Sequence, residues 1–265
     1  MTILKKILGR VLKPVVAAAS VLAGAAATAA GGGIALDRAP ADRATDVQAL
    51  QRGAKLFVNY CLNCHAAQSM RYNRLQDIGL TEAQIKENLL FTAEKVGELM
   101  TTSLSRKDGK EWFGAPPPDL SVIARARSSG AGSGADWLYT YLRTFYRDPS
   151  RETGWNNLAF SNVGMPHVLY ELQGEQVAKF VKVKDPHDAT KTIDKFEGFE
   201  IVKPGRMSRI EYDNAVADLV GFMVWMGEPV AAQRKQLGIA VMIFLGLFLL
   251  PCAWWLNRSF WKDIH

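Results

Sequence analysis

The chain has 265 residues, of which 48% are hydrophobic and 22% charged, and its formal net charge at pH 7 is +6. Four of the positive charges, at Lys5, Lys6, Arg10 and Lys13, lie in an N-terminal stretch that has no acidic residue. The remainder carries about +2, which leaves no basic patch of the kind that binds nucleic acid. The length suits one or two domains.

The basic start is followed by an alanine-rich apolar stretch from Val15 and then by Ala27-Thr28-Ala29, a small-x-small pattern. This order of segments is typical of a secretory signal peptide, so we interpret residues 1–29 as a signal. The alternative is an N-terminal membrane anchor that stays uncleaved. The abundance of alanine and glycine makes the stretch only weakly apolar, which favours the signal.

A helix is predicted from Thr45 to Tyr60, and Thr45 or Asp46 can cap its N-terminus. Its apolar face carries Val47, Leu50, Ala54 and Phe57. This helix leads directly into the most informative segment of the chain.

That segment is Cys61-Leu62-Asn63-Cys64-His65, a C-x-x-C-H motif, which is typical of the attachment site of a c-type haem. Helical spacing brings two thiols and an imidazole within reach of one porphyrin. A thioredoxin-type dithiol would need a preceding βαβ pattern, which is not visible. A closed zinc site would need two more ligands, and the remaining cysteine and histidines stand singly in the sequence.

The middle of the chain mixes several element types. Thr81 to Thr101 is amphipathic and predicts a helix, and an aromatic-rich helix is predicted from Asp136 to Tyr146. Ala115-Pro116-Pro117-Pro118-Asp119 is incompatible with a helix interior. Alternation in Val177–Val183, and in part of Phe196–Val202, predicts a small β-hairpin.

A capping box, Ser208 with Glu211, opens a second long helix that ends at Gly227 before Pro229. The residues predicted to face the core are Ile210, Val216, Leu219, Val220, Met223 and Met226. Gly53 would let this helix cross the first one closely, with Phe222 or Trp225 filling the contact.

Leu237 to Leu256 is a run of twenty residues without a charge. Such a helix spans about 30 Å, the thickness of the hydrocarbon layer of a membrane, and tryptophans lie at one of its edges. A buried core helix is the alternative, but the length and the tryptophans favour a transmembrane helix. Residues 230–236 then form a juxtamembrane connector, and residues 257–265 form a short tail.

A haem iron bound by His65 needs a sixth ligand or leaves an open site for small molecules. Of the eight methionines, Met165 is favoured because it stands in a Gly/Pro loop, Asn162–Pro166, about a hundred residues after the motif. The other methionines lie in the signal, the membrane span or predicted helices, or close to the motif, except Met207, which precedes the capping box and is predicted to be exposed. His167 remains the competing candidate, and the alternative interpretation of His167 is an ordinary surface histidine.

Several segments together resemble the cytochrome c1 family, and their order covers nearly the whole chain. They are Leu50-Gln51-Arg52-Gly53, the C-x-x-C-H motif followed by Met70-Arg71-Tyr72, Pro117-Pro118-Asp119-Leu120-Ser121, Arg125-Ala126-Arg127, the Met165 loop, Trp225-Met226-Gly227-Glu228-Pro229, and a C-terminal span preceded by Arg234-Lys235. The resemblance implies a mainly α fold: a class I-like cytochrome c haem domain with insertions and a small β-hairpin, plus one C-terminal transmembrane helix.

The resemblance also implies roles for residues. Cys61 and Cys64 hold one covalent haem c, and Met165 is the axial ligand opposite His65. Arg127 pairs with a haem propionate. Pro117 and Pro118 pack on the proximal face, where a backbone carbonyl orients the His65 Nδ1–H. One departure is the Pro-His-Val-Leu sequence after Met165, where many relatives have Ala-Pro-Pro.

At the level of function, the resemblance implies an electron-transfer subunit of ubiquinol–cytochrome c reductase that makes no bonds itself. It would take one electron from a Rieske iron–sulfur subunit, pass it to a cytochrome c, and lie beside cytochrome b in a dimeric complex. Residues 30–229 would be periplasmic and the tail cytoplasmic. Two alternatives are a cytochrome c subunit of a haem–copper oxidase or dehydrogenase, and a membrane-anchored haem sensor with an open distal site.

Overall fold

A computed structural model of the chain describes residues 34–184 and 192–263. The predicted signal, residues 1–29, lies outside the described residues. The α-helices are α1 (Val47–Leu56), α2 (Glu82–Asn88), α3 (Arg106–Phe113), α4 (Ile123–Ala126), α5 (Gly134–Arg143), α6 (Tyr170–Gln173), α7 (Arg209–Gly227), α8 (Ala231–Phe244) and α9 (Leu250–Phe260). The strands are β1 (Ala67–Arg71), β2 (Leu99–Met100), β3 (Phe145–Arg147), β4 (Trp155–Asn157), β5 (Gly174–Lys184) and β6 (Thr192–Pro204).

The crossing of α1 and α7 forms the centre of the domain. Asp46 caps α1 by accepting hydrogen bonds from two backbone amides of its first turn. At the crossing, a Cβ atom on Gly53 would lie 2.2 Å from the Asp218 carbonyl oxygen and 2.7 Å from Phe222 Cβ. Only glycine fits this contact, as its position in the sequence predicted, and Phe222 is one of the two side chains expected there.

A buried carboxylate stabilises the same crossing. Asp218 on α7 is 4% exposed and accepts hydrogen bonds from the guanidinium groups of Arg43, at 2.8 Å, and Arg52, at 2.6 Å. Two arginines on one buried carboxylate compensate its loss of hydration. The pairing ties the segment before α1, and α1 itself, to α7.

Two predicted core residues are exposed. Val47 is 48% and Ile210 is 75% exposed, and both lie in the first turn of their helices, outside the region where α1 and α7 meet. Helical periodicity identifies a face but not how far the neighbouring helix extends along it. The Ser208–Glu211 capping box is present as predicted.

The helix predicted from Thr81 to Thr101 is much shorter in the structure. Helix α2 ends at Asn88, and the end of the segment forms β2, which pairs antiparallel with β1. Met100 in β2 is fully buried, so packing favours the strand over a continued helix. The predicted β-hairpin is confirmed and is longer than expected, because β5 and β6 pair antiparallel over their whole length.

The C-terminal segment is a single helical run of 30 residues, Ala231–Phe260, that is long and apolar enough to cross a membrane. It is interrupted by a π-type turn at Leu245–Leu249, just before Pro251. Proline removes one backbone donor, and a local change of helix type is a common accommodation. The helix covers most of the predicted connector.

The fold is mainly α with small two-stranded sheets and one apolar C-terminal helix, which confirms the predicted fold class.

Candidate haem-binding site

A cavity of about 400 Å³ lies between the end of α1, the proline segment, helices α4 and α5 and the loop before α6. Every residue predicted from the sequence to form the site lines this cavity. These residues are Cys61, Cys64, His65, Pro117, Pro118, Arg127 and Met165. We call Cys61–His65 with Pro117 and Pro118 the proximal wall, and Met165 with Tyr141 the distal wall.

A π-type turn, Phe57–Cys61, continues α1, so Cys61 is the last residue of that turn and Cys64 follows three residues later. Both thiols are free, and Cys61 is 8% exposed. Burial raises the pKa of Cys61 to about 12 and also raises the pKa of Cys64. The thiols are therefore protonated at neutral pH, unlike the low-pKa thiolates of dithiol oxidoreductases. Within residues 34–184 and 192–263, no cluster of His, Cys, Asp and Glu has the makeup of a metal site.

The imidazole of His65 is oriented by the proline segment. Its Nδ1 lies 2.7 Å from the Pro118 carbonyl oxygen, which is able only to accept a hydrogen bond. Nδ1 therefore carries the proton, and Nε2 of the neutral ring keeps a lone pair for a metal. Burial lowers the pKa of His65, which favours the neutral form, although the bond to Pro118 acts in the opposite direction.

The proline segment is packed closely against α3. A Cβ atom on Gly109 of α3 would lie 2.8 Å from Pro117 Cδ. The same helix reaches the loop of Met165, since a Cβ atom on Gly164 would lie 3.0 Å from the Phe113 carbonyl oxygen. Helix α3 thus connects the two walls of the cavity at one side.

Met165 contacts a residue that the sequence did not single out. The buried hydroxyl of Tyr141 on α5 donates a hydrogen bond to the Met165 sulfur at 3.3 Å. Burial raises the pKa of Tyr141, so this hydroxyl stays protonated and remains a donor. The Tyr141 ring stacks on Trp137, with ring centroids 4.7 Å apart and planes at 12°.

The loop that carries Met165 is also tied down at its start. Asn162 adopts a left-handed conformation with φ of 60°. Arg151 donates hydrogen bonds to its side-chain oxygen, at 3.0 Å, and to its backbone carbonyl, at 3.3 Å. The buried Asn156 side chain accepts from the Asn162 amide at 2.9 Å. This unusual backbone conformation is therefore held by three hydrogen bonds.

Arg127 and Arg125 lie in different surroundings. The half-buried Arg127 lines the cavity with its guanidinium 4.5 Å from the Trp137 ring centroid, and it has no carboxylate partner within the part of the chain that the structure describes. Arg125 is exposed, does not line the cavity, and pairs with Glu228 at 3.6 Å. Of the two, only Arg127 has a guanidinium available to an acidic group inside the cavity.

His167, the competing sixth ligand, does not line the cavity. The alternative interpretation, a surface histidine, is also wrong, because His167 is only 2% exposed. Its ring stacks on Phe145 and meets the edge of Trp155. Burial lowers the pKa of His167 to about 4, so the imidazole is neutral.

The residues present fit a covalently attached haem. The cavity offers two thiols, an imidazole nitrogen with a free lone pair, a thioether sulfur and one cation, in a lining that is otherwise mostly apolar. These are the donors of a Met/His-ligated c-type haem. Together with the apolar C-terminal helix, a candidate membrane span, they are the features expected of a membrane-anchored cytochrome of the c type.

Comparison with known proteins narrows this class. The chain matches the Cytochrome C1 family over residues 41–192 and 206–264. It is 43% identical over 254 residues to cytochrome c1 of Allochromatium vinosum, which covers 96% of this chain and 99% of that protein. It is 49% identical over 247 residues to a protein of Nitrosomonas europaea named ammonia monooxygenase gamma subunit, which covers 93% of this chain and 96% of that protein.

A cytochrome b/c1 protein of Bradyrhizobium diazoefficiens is 27% identical over 252 residues, 83% of this chain and 34% of that protein. The chain belongs to the cytochrome c1 family, as its motifs predicted. Members of this family are haem-containing electron-transfer subunits of the cytochrome bc1 complex. The gap in the family match, residues 193–205, falls on β6, whereas β5 lies within the match.

Proposed function

We propose that this chain carries single electrons from a Rieske iron–sulfur subunit to a cytochrome c, as part of a dimeric cytochrome bc1 complex. The observation that supports the proposal is the single cavity in which Cys61, Cys64, His65, Met165 and Arg127 meet. The family of the chain supports the same function at a coarser level.

Each residue then has a distinct task. Cys61 and Cys64 would hold one haem c through thioether bonds, and His65 and Met165 would be the residues that ligate its iron. When bound, the haem supplies a one-electron iron couple whose potential the protein tunes. The carbonyl of Pro118 keeps His65 Nε2 directed at the metal, with Pro117 packed beside it. Arg127 compensates a propionate charge that would otherwise be costly near apolar side chains.

The location follows from the same assignment. Residues 1–29 direct export, because haem of the c type is attached outside the cytoplasm in this family. Residues 30–229 are then periplasmic, residues 237–256 span the inner membrane, and residues 257–265 are cytoplasmic. The exposed apolar side chains of the span lie against lipid and against the cytochrome b subunit.

The name of the Nitrosomonas relative suggests a second function, a subunit of an ammonia-oxidising enzyme. A haem cavity of this kind would serve electron transfer in either assembly. The two functions differ in their partners, so the identity of the associated subunits separates them.

Purification of the affinity-tagged full-length chain from its own membranes in a mild detergent tests the proposal. Cytochrome b and a Rieske protein should copurify, and ubiquinol should reduce the haem of the complex. Met165→Leu should abolish transfer to cytochrome c while assembly persists, and Met207→Leu, a half-buried methionine outside the cavity, should leave transfer unchanged. Copurification with a monooxygenase or an oxidase, without cytochrome b, contradicts the proposal.

A further inference from the structure

His167 occupies an unusual place for a polar residue. Its ring lies parallel to Phe145, with centroids 4.8 Å apart and planes at 7°, and edge-on to Trp155 at 5.0 Å. Its Nε2 and the Oε1 atom of Gln173 are both buried and make no hydrogen bond of good geometry within the described residues, although the two side chains interact with each other. Burying an unpartnered polar atom costs free energy that a purely apolar ring would avoid.

The stack around His167 leads back to Met165. Phe145 is fully buried and meets the ring of Tyr141 edge-on, with centroids 5.0 Å apart. Tyr141 in turn donates its hydroxyl hydrogen to the Met165 sulfur. Met165 is therefore connected to His167 in two ways: through the backbone of Pro166, and through the contacts of Phe145 and Tyr141. Together the two connections make a closed loop of contacts that includes the Met165 side chain.

We propose that His167 is a positioning residue for Met165. The His167 ring, held between Phe145 and Trp155, fixes the end of the Met165–His167 turn. Through Phe145 it also supports the ring of Tyr141. The thioether of Met165 then has one orientation in the cavity. This inference rests on the proposed role of Met165 as an iron ligand. A ligand held in place by the fold competes with external ligands through its high effective concentration, and a loosened loop loses that advantage.

Competition with exogenous imidazole measures how firmly Met165 is held. Absorbance titration of the oxidised full-length holoprotein with imidazole gives an apparent affinity for the wild type and for each variant. His167→Ala should bind imidazole at least about tenfold more tightly than the wild type, because the turn loses its anchor. His167→Phe keeps a ring for the stack and should recover most of the wild-type value.

A matched control removes a similar volume elsewhere in the core. Leu75 is fully buried outside the cavity, and Leu75→Ala should destabilise the fold without changing imidazole affinity. If His167→Ala does not accumulate as holoprotein, His167→Leu, which fills space without a planar ring, takes its place with the same expectation. A shift in Leu75→Ala as large as in the His167 variants means a general loosening of the fold and overturns the proposal.

Met165→Leu separates this inference from the proposed function. If Met165 is the ligand, Met165→Leu should bind imidazole far more tightly than the wild type. An unchanged affinity in Met165→Leu contradicts the ligand assignment itself. If Met165→Leu shifts strongly while His167→Ala and His167→Leu behave like the wild type, the ligand assignment stands and the positioning role of His167 is wrong.

Discussion

The proximal and distal walls of the cavity are held by different kinds of interaction. On the proximal wall, Cys61, Cys64 and His65 lie within five consecutive residues at the end of α1, and backbone hydrogen bonds of one turn fix their relative positions. On the distal wall, the sulfur of Met165 accepts a hydrogen bond from Tyr141, which lies 24 positions earlier in the chain.

Cys61, Cys64 and His65 are therefore positioned by local contacts, whereas Met165 is positioned by contacts with segments that are distant in the sequence. The Cys61–His65 part of the proximal wall exists wherever the turn after α1 forms, and the bond between His65 and Pro118 then orients the imidazole. The distal wall exists only when α5, β3 and the Met165 loop pack together. Changes to the proximal wall should therefore affect attachment of the haem, and changes to the distal wall should affect its potential.

The largest expected effect is on the proximal wall. Cys61→Ala or Cys64→Ala should prevent stable two-point attachment of the haem, because each thiol forms one of the two thioether bonds. Haem staining of the denatured protein on a gel measures this. Normal covalent haem in Cys61→Ala would count against the assignment of the motif.

A second change tests the crossing of α7 with α1, the helix that leads into the proximal wall. Gly53→Ala should reduce the free energy of unfolding by about 1–3 kcal/mol, because the added Cβ overlaps the Asp218 carbonyl oxygen. Chemical denaturation provides the measurement. Gly97→Ala is the matched control, since an added Cβ has no neighbour within 4 Å there, and its effect should stay within about 0.5 kcal/mol. Equal stability of the two variants would contradict the close α1–α7 crossing.

On the distal wall, Tyr141→Phe should lower the midpoint potential while the haem stays attached. The Tyr141 hydroxyl draws electron density from the Met165 sulfur, which disfavours ferric iron, and phenylalanine removes that effect. A redox titration measures the shift. Tyr139→Phe on the same helix, outside the cavity lining, should leave the potential unchanged. A shift in Tyr139→Phe alone would show that the wrong tyrosine has been assigned.

The smallest expected effect concerns the two arginines. Arg127→Gln should lower the midpoint potential by an amount on the order of tens of millivolts, because a positive charge near the haem disfavours the ferric state. Arg125→Gln should have a weaker effect, since Arg125 is exposed and already pairs with Glu228. If only Arg125→Gln changes the potential, the assignment of Arg127 to the propionate is wrong.

Three features could be predicted from the sequence because their signals are local. The C-x-x-C-H spacing, the Ser208 capping box and the uncharged C-terminal run are each readable within a few turns of chain. Met165 was favoured from its Gly/Pro loop, and the structure brings it to the same cavity.

Long-range packing was not predictable in the same way. Nothing near Tyr141 indicates that its hydroxyl rather than that of Tyr139 faces the Met165 sulfur, because the choice depends on how α5 meets a loop beyond β4. His167 was read as a surface residue or a ligand, whereas Phe145 and Trp155 bury it in an aromatic stack. The helix predicted beyond Asn88 was wrong for the same reason, since pairing of β2 with β1 outweighs helical periodicity.

The most direct test of the central claim is a redox titration of Met165→Leu beside the wild type, with the oxidised absorbance spectrum recorded on the same samples. The thioether favours ferrous iron, so its loss should lower the midpoint potential by more than Tyr141→Phe or Arg127→Gln does, while covalent haem is retained. The absorbance band of methionine-ligated ferric haem should also disappear. An unchanged potential and spectrum would mean that Met165 is not the sixth ligand and that the cavity holds its iron in another way.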